Sequence, residues 1–402
     1  MDDARPSPSP LARHWRLDPT VTFLNHGSFG ACPAAVLQVQ DELRTRMERE
    51  PVLFLHRQLE ALLDDARARL AEFVSVDPDD LAFVPNATTG VNVVLASLQL
   101  APGDELVTTD HEYNACKNAL DRVADRAGAR VVVVPLPFPL QDARDAIDPL
   151  LAALTPRTRL VLVDHVTSPT GLVLPIATVA DVCRSRGIDL LVDGAHAPGM
   201  LDLDLRALGA TYYTGNCHKW MCAPKGAALL YVSRERQADV RPLVTSHGAN
   251  SPRTDRSRFR LEFDFTGTAD YTPFLCVPAA IDTMAGVFPG GWPELRQHNR
   301  TLVLAGRAAL CKALDTPPPA PDAMLGSLAS IPLPDAPGAP RGRLGLDDLH
   351  VELFERHRIE VPVMPWPRAP HRLLRISAQA YNSAAQYDHL ALAVRELLAA
   401  GL

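Results

Sequence analysis

Between residues 81 and 232 the chain repeats one pattern: a short apolar run, mostly β-branched, followed by a segment of helical length. The runs are LAFVP (81–85), ELVTTD (105–110), RVVVVPL (130–136), RLVLVDH (159–165), DLLVDGA (189–195), TYYTG (211–215) and GAALLYV (226–232). Runs this apolar have no polar face to show to water. They predict a largely parallel sheet covered on both sides by helices such as 174–187. Upstream, Leu59, Leu62, Leu63, Ala66, Leu70 and Phe73 fall at helical spacing and should bury one face. An open α/β sheet binds ligands beyond the carboxyl ends of its strands, so the residues that follow these runs carry the functional reading.

After about residue 285 the texture changes. TPPPAPD (316–322) and IPLPDAPGAPRGRLG (331–345) read as connectors, followed by a helix-then-strand pattern and a terminal amphipathic helix with Leu390, Val394, Leu397 and Leu398. The expected division is a disordered arm over 1–16, a segment over 17–55 packing on both domains, a large domain over 56–285 and a small α/β domain over 286–402. The opening MDDARPSPSPLARHW is acidic and Pro/Ser-rich, with no apolar core of a secretory leader. A net charge of -7 with no long run of one sign gives no case for nucleic acid or anionic membrane, and no stretch approaches a membrane span. Seven scattered cysteines suggest reduced thiols and a cytoplasmic setting.

Three stretches after the strands could carry chemistry. VPNATTGVNVV (84–94) places Ala87, Thr88 and Thr89 at a helix start, where unpaired amides favour an anion; a plain Thr N-cap reads equally well. It has neither a Walker lysine nor a G-x-G-x-x-G fingerprint, which removes the P-loop and Rossmann dehydrogenase readings. LLVDGAHAPG (190–199) puts Asp193 at a strand end, either capping its own turn or facing a cation. TGNCHKWMCAPKG (214–226) holds Lys219 and Lys225, two of only four lysines among forty basic residues. Lys219 is either a surface charge or an amine made nucleophilic by burial. Lys117 and Lys312 fall in helical patterns. Cys217, His218 and Cys222 lack the second pair that a zinc site needs, so no metal is expected. An anion-binding helix start, an acid at a strand end and a lysine one strand later are together what pyridoxal phosphate requires: a phosphate cradle, a partner for the ring nitrogen and an amine for the aldehyde.

These motifs, with LDPTVTFLNHGSFGACP (17–33), EPVLFLHRQL (50–59), TTDHEY (108–113), DHVTSPTGLVLP (164–175), FDFTGTAD (263–270) and LLRISAQAYNS (373–383), resemble the isopenicillin N epimerase branch of the class V aminotransferase superfamily. The resemblance covers nearly the whole chain and implies the fold-type-I pyridoxal-phosphate architecture. It implies Lys219 as covalent anchor and acid/base, Asp193 at the pyridine nitrogen and His196 near the ring hydroxyl. It implies Thr88, Thr89 and His218 at the phosphate, with Ala87 beside them, and Gly267 and Thr268 reaching that phosphate from the second subunit of a homodimer. Arg375 would clamp the substrate carboxylate with its planar fork, whereas alone it reads as a solvated arginine. Tyr113 is the ring expected to stack on the cofactor, with His111 as second choice. Asn25, His26 and Ser168 would line the substrate site, although related cysteine desulfurases usually carry Asn at the position of Ser168. Lys225 competes for the anchor role, and Trp366 reads as pocket lining or packing.

The reaction is open among several outcomes. No cysteine lies between Cys311 and the C-terminus to accept sulfur, which argues against a desulfurase. Epimerisation and β-elimination both begin with removal of the α-proton by Lys219, and Tyr113 or His26 could assist either. Within the branch the epimerase carries Thr where this chain has His26, while the His form accompanies C–S lyases. The expectation is therefore a C–S β-lyase acting on an S-substituted cysteine in specialised metabolism, with amino-acid epimerisation second and transamination or decarboxylation-linked deamination third. A silent relative serving as a scaffold would have lost the lysine, the acid or the arginine, and all three are present.

Overall fold

The computed structural model describes residues 6–339 and 345–402. The seven apolar runs form one seven-stranded sheet. Its order in space is Leu81–Val84, Ala228–Val232, Tyr212–Asn216, Asp189–Asp193, Thr158–Asp164, Glu105–Thr109 and Arg130–Val134. Ala228–Val232 runs against both of its neighbours, and the other pairings are parallel. Helices such as Ala87–Ser97, Asn114–Ala127 and Ile176–Arg186 fill the connections and cover the two faces. Two apolar clusters result, one on each side of the sheet, and the residues of the inner strands are almost wholly buried. The amphipathic segment upstream is a helix, Leu59–Phe73, with Leu59, Leu63, Ala66 and Leu70 buried and Leu62 and Phe73 partly so.

The C-terminal part builds a three-stranded antiparallel sheet in the order Val363–Pro365, Arg372–Ser377, Leu328–Leu333. The helices Gly291–Ala313, Asp348–His357 and Ala384–Ala399 accompany it. The stretch after 331, expected as connector, is strand as far as Leu333, because its apolar residues pair with Arg372–Leu374; residues 340–344 of that expected connector lie outside the described residues. The N-terminal expectation also needs correction. Residues 1–5 lie outside the described residues, but Pro10–His14 form a 3₁₀ turn capped by Ser9. Trp15 is buried and its indole N–H donates to the Ala31 carbonyl at 3.2 Å. An aromatic anchor of this size outweighs the disorder signal of the Pro/Ser residues before it. Downstream, Thr22–Phe23 pairs in parallel with Ile359–Glu360, which ties the N-terminal segment to the small domain. No helix among the described residues is long and apolar enough to cross a membrane.

Candidate active site

The carboxyl ends of the parallel strands and the Arg372–Ser377 strand converge on one cleft. Asp193 ends its strand beside Asp164, its register partner on the neighbouring strand. Lys219 follows the Tyr212–Asn216 strand in a tight turn. That turn is packed closely: a Cβ on Gly30, at φ +71°, would stand 2.1 Å from the His218 carbonyl oxygen and 3.0 Å from Lys219 Cα. The glycine of NHGSFG therefore lets the N-terminal segment lie directly on the lysine's backbone.

The hydrogen bonds around Lys219 fix its chemistry. The Trp220 indole N–H, which can only donate, points to His196 Nδ1 at 3.3 Å. In a neutral imidazole the ring proton then sits on Nε2, 3.1 Å from Lys219 Nζ. A donor facing the amine requires a lone pair on it, so the geometry calls for uncharged Lys219. Burial and the neighbouring Arg375 charge act the same way, pulling the amine down to about 8 against the pull of Asp193 and Asp164. Burial and the same cations hold His196 neutral. Lys225 is exposed and donates to the Gly30 carbonyl at 3.1 Å.

Asp193 is buried, and its partners are a thiol and a backbone amide: Cys116 Sγ at 3.2 Å and Ala195 N at 2.9 Å. Desolvation raises its carboxyl above the usual range, the signature of an acid waiting for a cation. Arg375 is buried too. It donates to the Ser168 carbonyl at 2.7 Å, the Ser168 hydroxyl at 3.2 Å and the Ser28 hydroxyl at 3.0 Å, and its Nε has no partner. Desolvation brings it down only to about 10, so it keeps its charge.

The expected site residues divide into those at the cleft and those behind it. Thr88 and Thr89 stand half-buried at the start of Ala87–Ser97, capped by Asn86 rather than by a threonine, with the Thr89 amide on Asn86 Oδ1 at 2.8 Å. The Ala87 amide is already taken by Asn216 Oδ1 at 2.8 Å, so Ala87 offers no free donor. His218 donates from Nδ1 to the Ala227 carbonyl at 2.9 Å, which fixes its tautomer and leaves Nε2 as the free nitrogen of the neutral ring. Tyr113 is 47% exposed and close enough to Arg375 to act on its charge. His111, the other candidate ring, is fully buried between Thr170 and Leu136, edge-on to Trp366. Trp366 thereby packs against the large domain.

Two expected substrate contacts are displaced. His26 is fully buried: Nε2 donates to the Lys219 carbonyl at 3.0 Å, and Nδ1 accepts the Tyr381 hydroxyl at 2.9 Å. Burial pulls it down to about 3. With both nitrogens engaged it presents no proton to the cleft, and the catalytic and substrate-binding roles expected of it give way to holding the lysine's backbone. Asn25 reaches Arg375 only through Ser28, and its amide donates to Glu360 at 3.0 Å. Gly267, half-buried at φ +131°, and exposed Thr268 form part of an open stretch whose Gly267 carbonyl accepts the Tyr271 hydroxyl. Ser28, Trp220, Gln379 and Tyr381 complete the shell. Ser28 and Tyr381 lie inside motifs already quoted, but nothing in those motifs marks them as partners of Arg375 or His26.

A half-buried lysine and a buried acid at the strand ends of the seven-stranded sheet, opposed by a buried arginine from the three-stranded sheet, thus share one cleft. Residues 27–289 match the aminotransferase class-V family. An isopenicillin N epimerase from Amycolatopsis lactamdurans is 39% identical over 395 residues, covering 95% of this chain and 96% of the relative. A probable chloroplastic L-cysteine desulfhydrase from Arabidopsis thaliana is 31% identical over 409 residues, covering 96% and 84%. A solved complex of the cystine C–S lyase C-DES with its product cysteine persulfide superposes with a TM-score of 0.78 at 26% identity, covering 94% and 97%. The chain belongs to the aminotransferase class-V family, a family of pyridoxal-phosphate-dependent enzymes.

Proposed function

We propose that this enzyme removes the α-proton of an amino acid with Lys219 and completes a C–S β-elimination on an S-substituted cysteine. The observation that carries the reading is the pairing of a lysine whose amine is pulled down to about 8, Nζ 3.1 Å from His196 Nε2, with a charged arginine held by serines and not by a carboxylate. Arg375 takes the substrate carboxylate, exchanging the serine oxygens for a bidentate pair. Lys219 would hold the cofactor and would take the α-proton of the substrate. Asp193 would pair with the ring nitrogen, whose proton would give this buried carboxylate the cation it lacks. Thr88, Thr89 and His218 hold the phosphate at the helix start. Tyr113, on the Arg375 side, stands over the substrate. Pyridoxal phosphate, when bound there, supplies the electron sink for the bond broken at the α-carbon.

Elimination is favoured over desulfuration because all seven cysteines are buried, leaving no thiol at the cleft to accept sulfur. The C–S cleaving relatives support the same outcome. Epimerisation is the second reading, supported by the 39% identical epimerase and by Tyr113 as a proton donor distinct from Lys219. Incubation of the loaded enzyme in D2O with S-substituted L-cysteines and plain L-amino acids separates the two. Pyruvate, ammonia and free thiol support the lyase; deuterated D-amino acid without keto acid overturns it in favour of the epimerase.

The reading includes a homodimer in which Gly267 and Thr268 serve the other subunit's phosphate. A cleft of about 470 Å³ runs from Thr89 and Lys225 to Thr266 and Ala269, and Leu243 and Val244 beside it are 52% and 56% exposed. A partner subunit would cover that apolar wall. Sedimentation as a monomer with full cofactor retention would contradict this assembly.

A further inference from the structure

Asp193 is not alone. Glu112, Asp164 and Asp193 are 4%, 3% and 1% exposed, and they meet at one end of the sheet. One ligand atom each of Glu112, Cys116 and Asp193 lies within 4.8 Å of the others. Both Glu112 oxygens and Asp164 Oδ2 lack any hydrogen-bond partner among the described residues. Three carboxyls in an apolar interior cannot all ionise beside one another. The groups facing Glu112 are Asp193 and Asp164 from the two strands, and Cys116 and Lys117 from its own side. Lys219 acts on Asp193 and Asp164, but with its amine pulled down to about 8 it supplies at most one positive charge against three carboxyls. The cluster therefore holds protons. Asp193 has two well-formed donors to stabilise its anion, Cys116 and Ala195, whereas Glu112 has only the looser approach of the Tyr113 backbone amide. The negative charge settles on Asp193 and the proton on Glu112.

We propose that Glu112 is a positioning residue for the cofactor: a buried acid packed behind Asp193 whose charge state sets how strongly that end of the pocket holds a protonated ring. This rests on the pyridoxal-phosphate reading of the site. Burial and the Asp193 charge both push the Glu112 carboxyl well above the usual range, in keeping with the geometry. The consequence is a pocket whose hold on a protonated ring strengthens as pH rises. At a separation of 4.8 Å or less, one added charge shifts a neighbour's titration by roughly two pH units.

The test compares wild type with Glu112→Gln, which keeps the shape and removes the proton. Infrared spectra of the loaded enzyme at neutral pH should show a protonated carboxylic-acid carbonyl band that E112Q lacks. The ratio of wild-type to E112Q affinity for pyridoxal phosphate should rise by about tenfold or more between neutral and alkaline pH. An unchanged band, or a ratio that stays flat or falls, overturns the proposal. If E112Q does not fold, the wild-type band decides: its loss on alkaline titration supports the proposal, and its absence at neutral pH overturns it. A wild-type protein that binds no pyridoxal phosphate would sink the cofactor reading itself, and is distinguished from failure of the Glu112 assignment by the wild-type measurement alone.

Discussion

Lys219 and Arg375 face the same cleft from different domains, both desolvated, and they answer burial in opposite ways. Lys219 comes from the turn after a large-domain strand and is pulled from 10.5 to about 8, beside a histidine proton that needs its lone pair. Arg375 comes from the three-stranded sheet and is pulled down only to about 10. The same physical force leaves one cation reactive and the other permanently charged, because the delocalised guanidinium starts further from neutrality. The difference supports the proposed division, with covalent and proton-transfer work for the lysine and substrate capture for the arginine.

Removing each in turn should separate those duties. Lys219→Ala is expected to lose covalent cofactor attachment and to lower turnover by about 10³-fold or more, while Lys225→Ala keeps the attachment. Arg375→Lys keeps the charge but not the fork. It is expected to lower kcat/KM by roughly 10–100-fold, mainly through KM, with the cofactor spectrum intact. If Arg375→Lys changed cofactor attachment instead, the division between the two cations would be wrong.

Gly30→Ala should come next, since a methyl group there collides with the backbone that carries Lys219. A loss of about 1–3 kcal/mol of stability is expected, read as a lowered Tm together with slower cofactor loading. His26→Ala leaves the Lys219 carbonyl and the Tyr381 hydroxyl short of partners, for a further loss of about 1–3 kcal/mol. The smallest effects are those of pH. Loading of the cofactor-free protein needs the neutral amine, so its rate should climb with pH around a midpoint near 8 rather than near 10.5. Stability has its own window. His26 titrates near 3 folded and near 6.5 when exposed, so between those values the unfolded chain binds more protons and stability falls as pH drops. His165 and His218, each held near 4, add to the same acid-side loss of Tm.

The sheet was legible because its strands are buried on both faces, and burial writes itself into composition. Lys219 and Asp193 stood out as candidates because each is the chemically unusual residue of its motif, whereas Arg375 stood out only through the family resemblance. His26 was misread for a definable reason. Its role is set by Tyr381, 355 positions away, and by a backbone carbonyl, neither of which leaves a trace near residue 26. Ser28 escaped in the same way, its meaning coming from Arg375 on the three-stranded sheet. Trp15 shows the converse, one buried ring ordering a stretch whose composition speaks for disorder. Glu112 sits inside TTDHEY, yet only the fold brings it against Asp193.

The central claim is that Lys219 anchors the cofactor. Borohydride reduction of the loaded enzyme, digestion and peptide mass spectrometry test it directly. The account predicts the phosphopyridoxyl mass on Lys219 and none on Lys117, Lys225 or Lys312. The same mass on Lys225, or on no lysine, would contradict it.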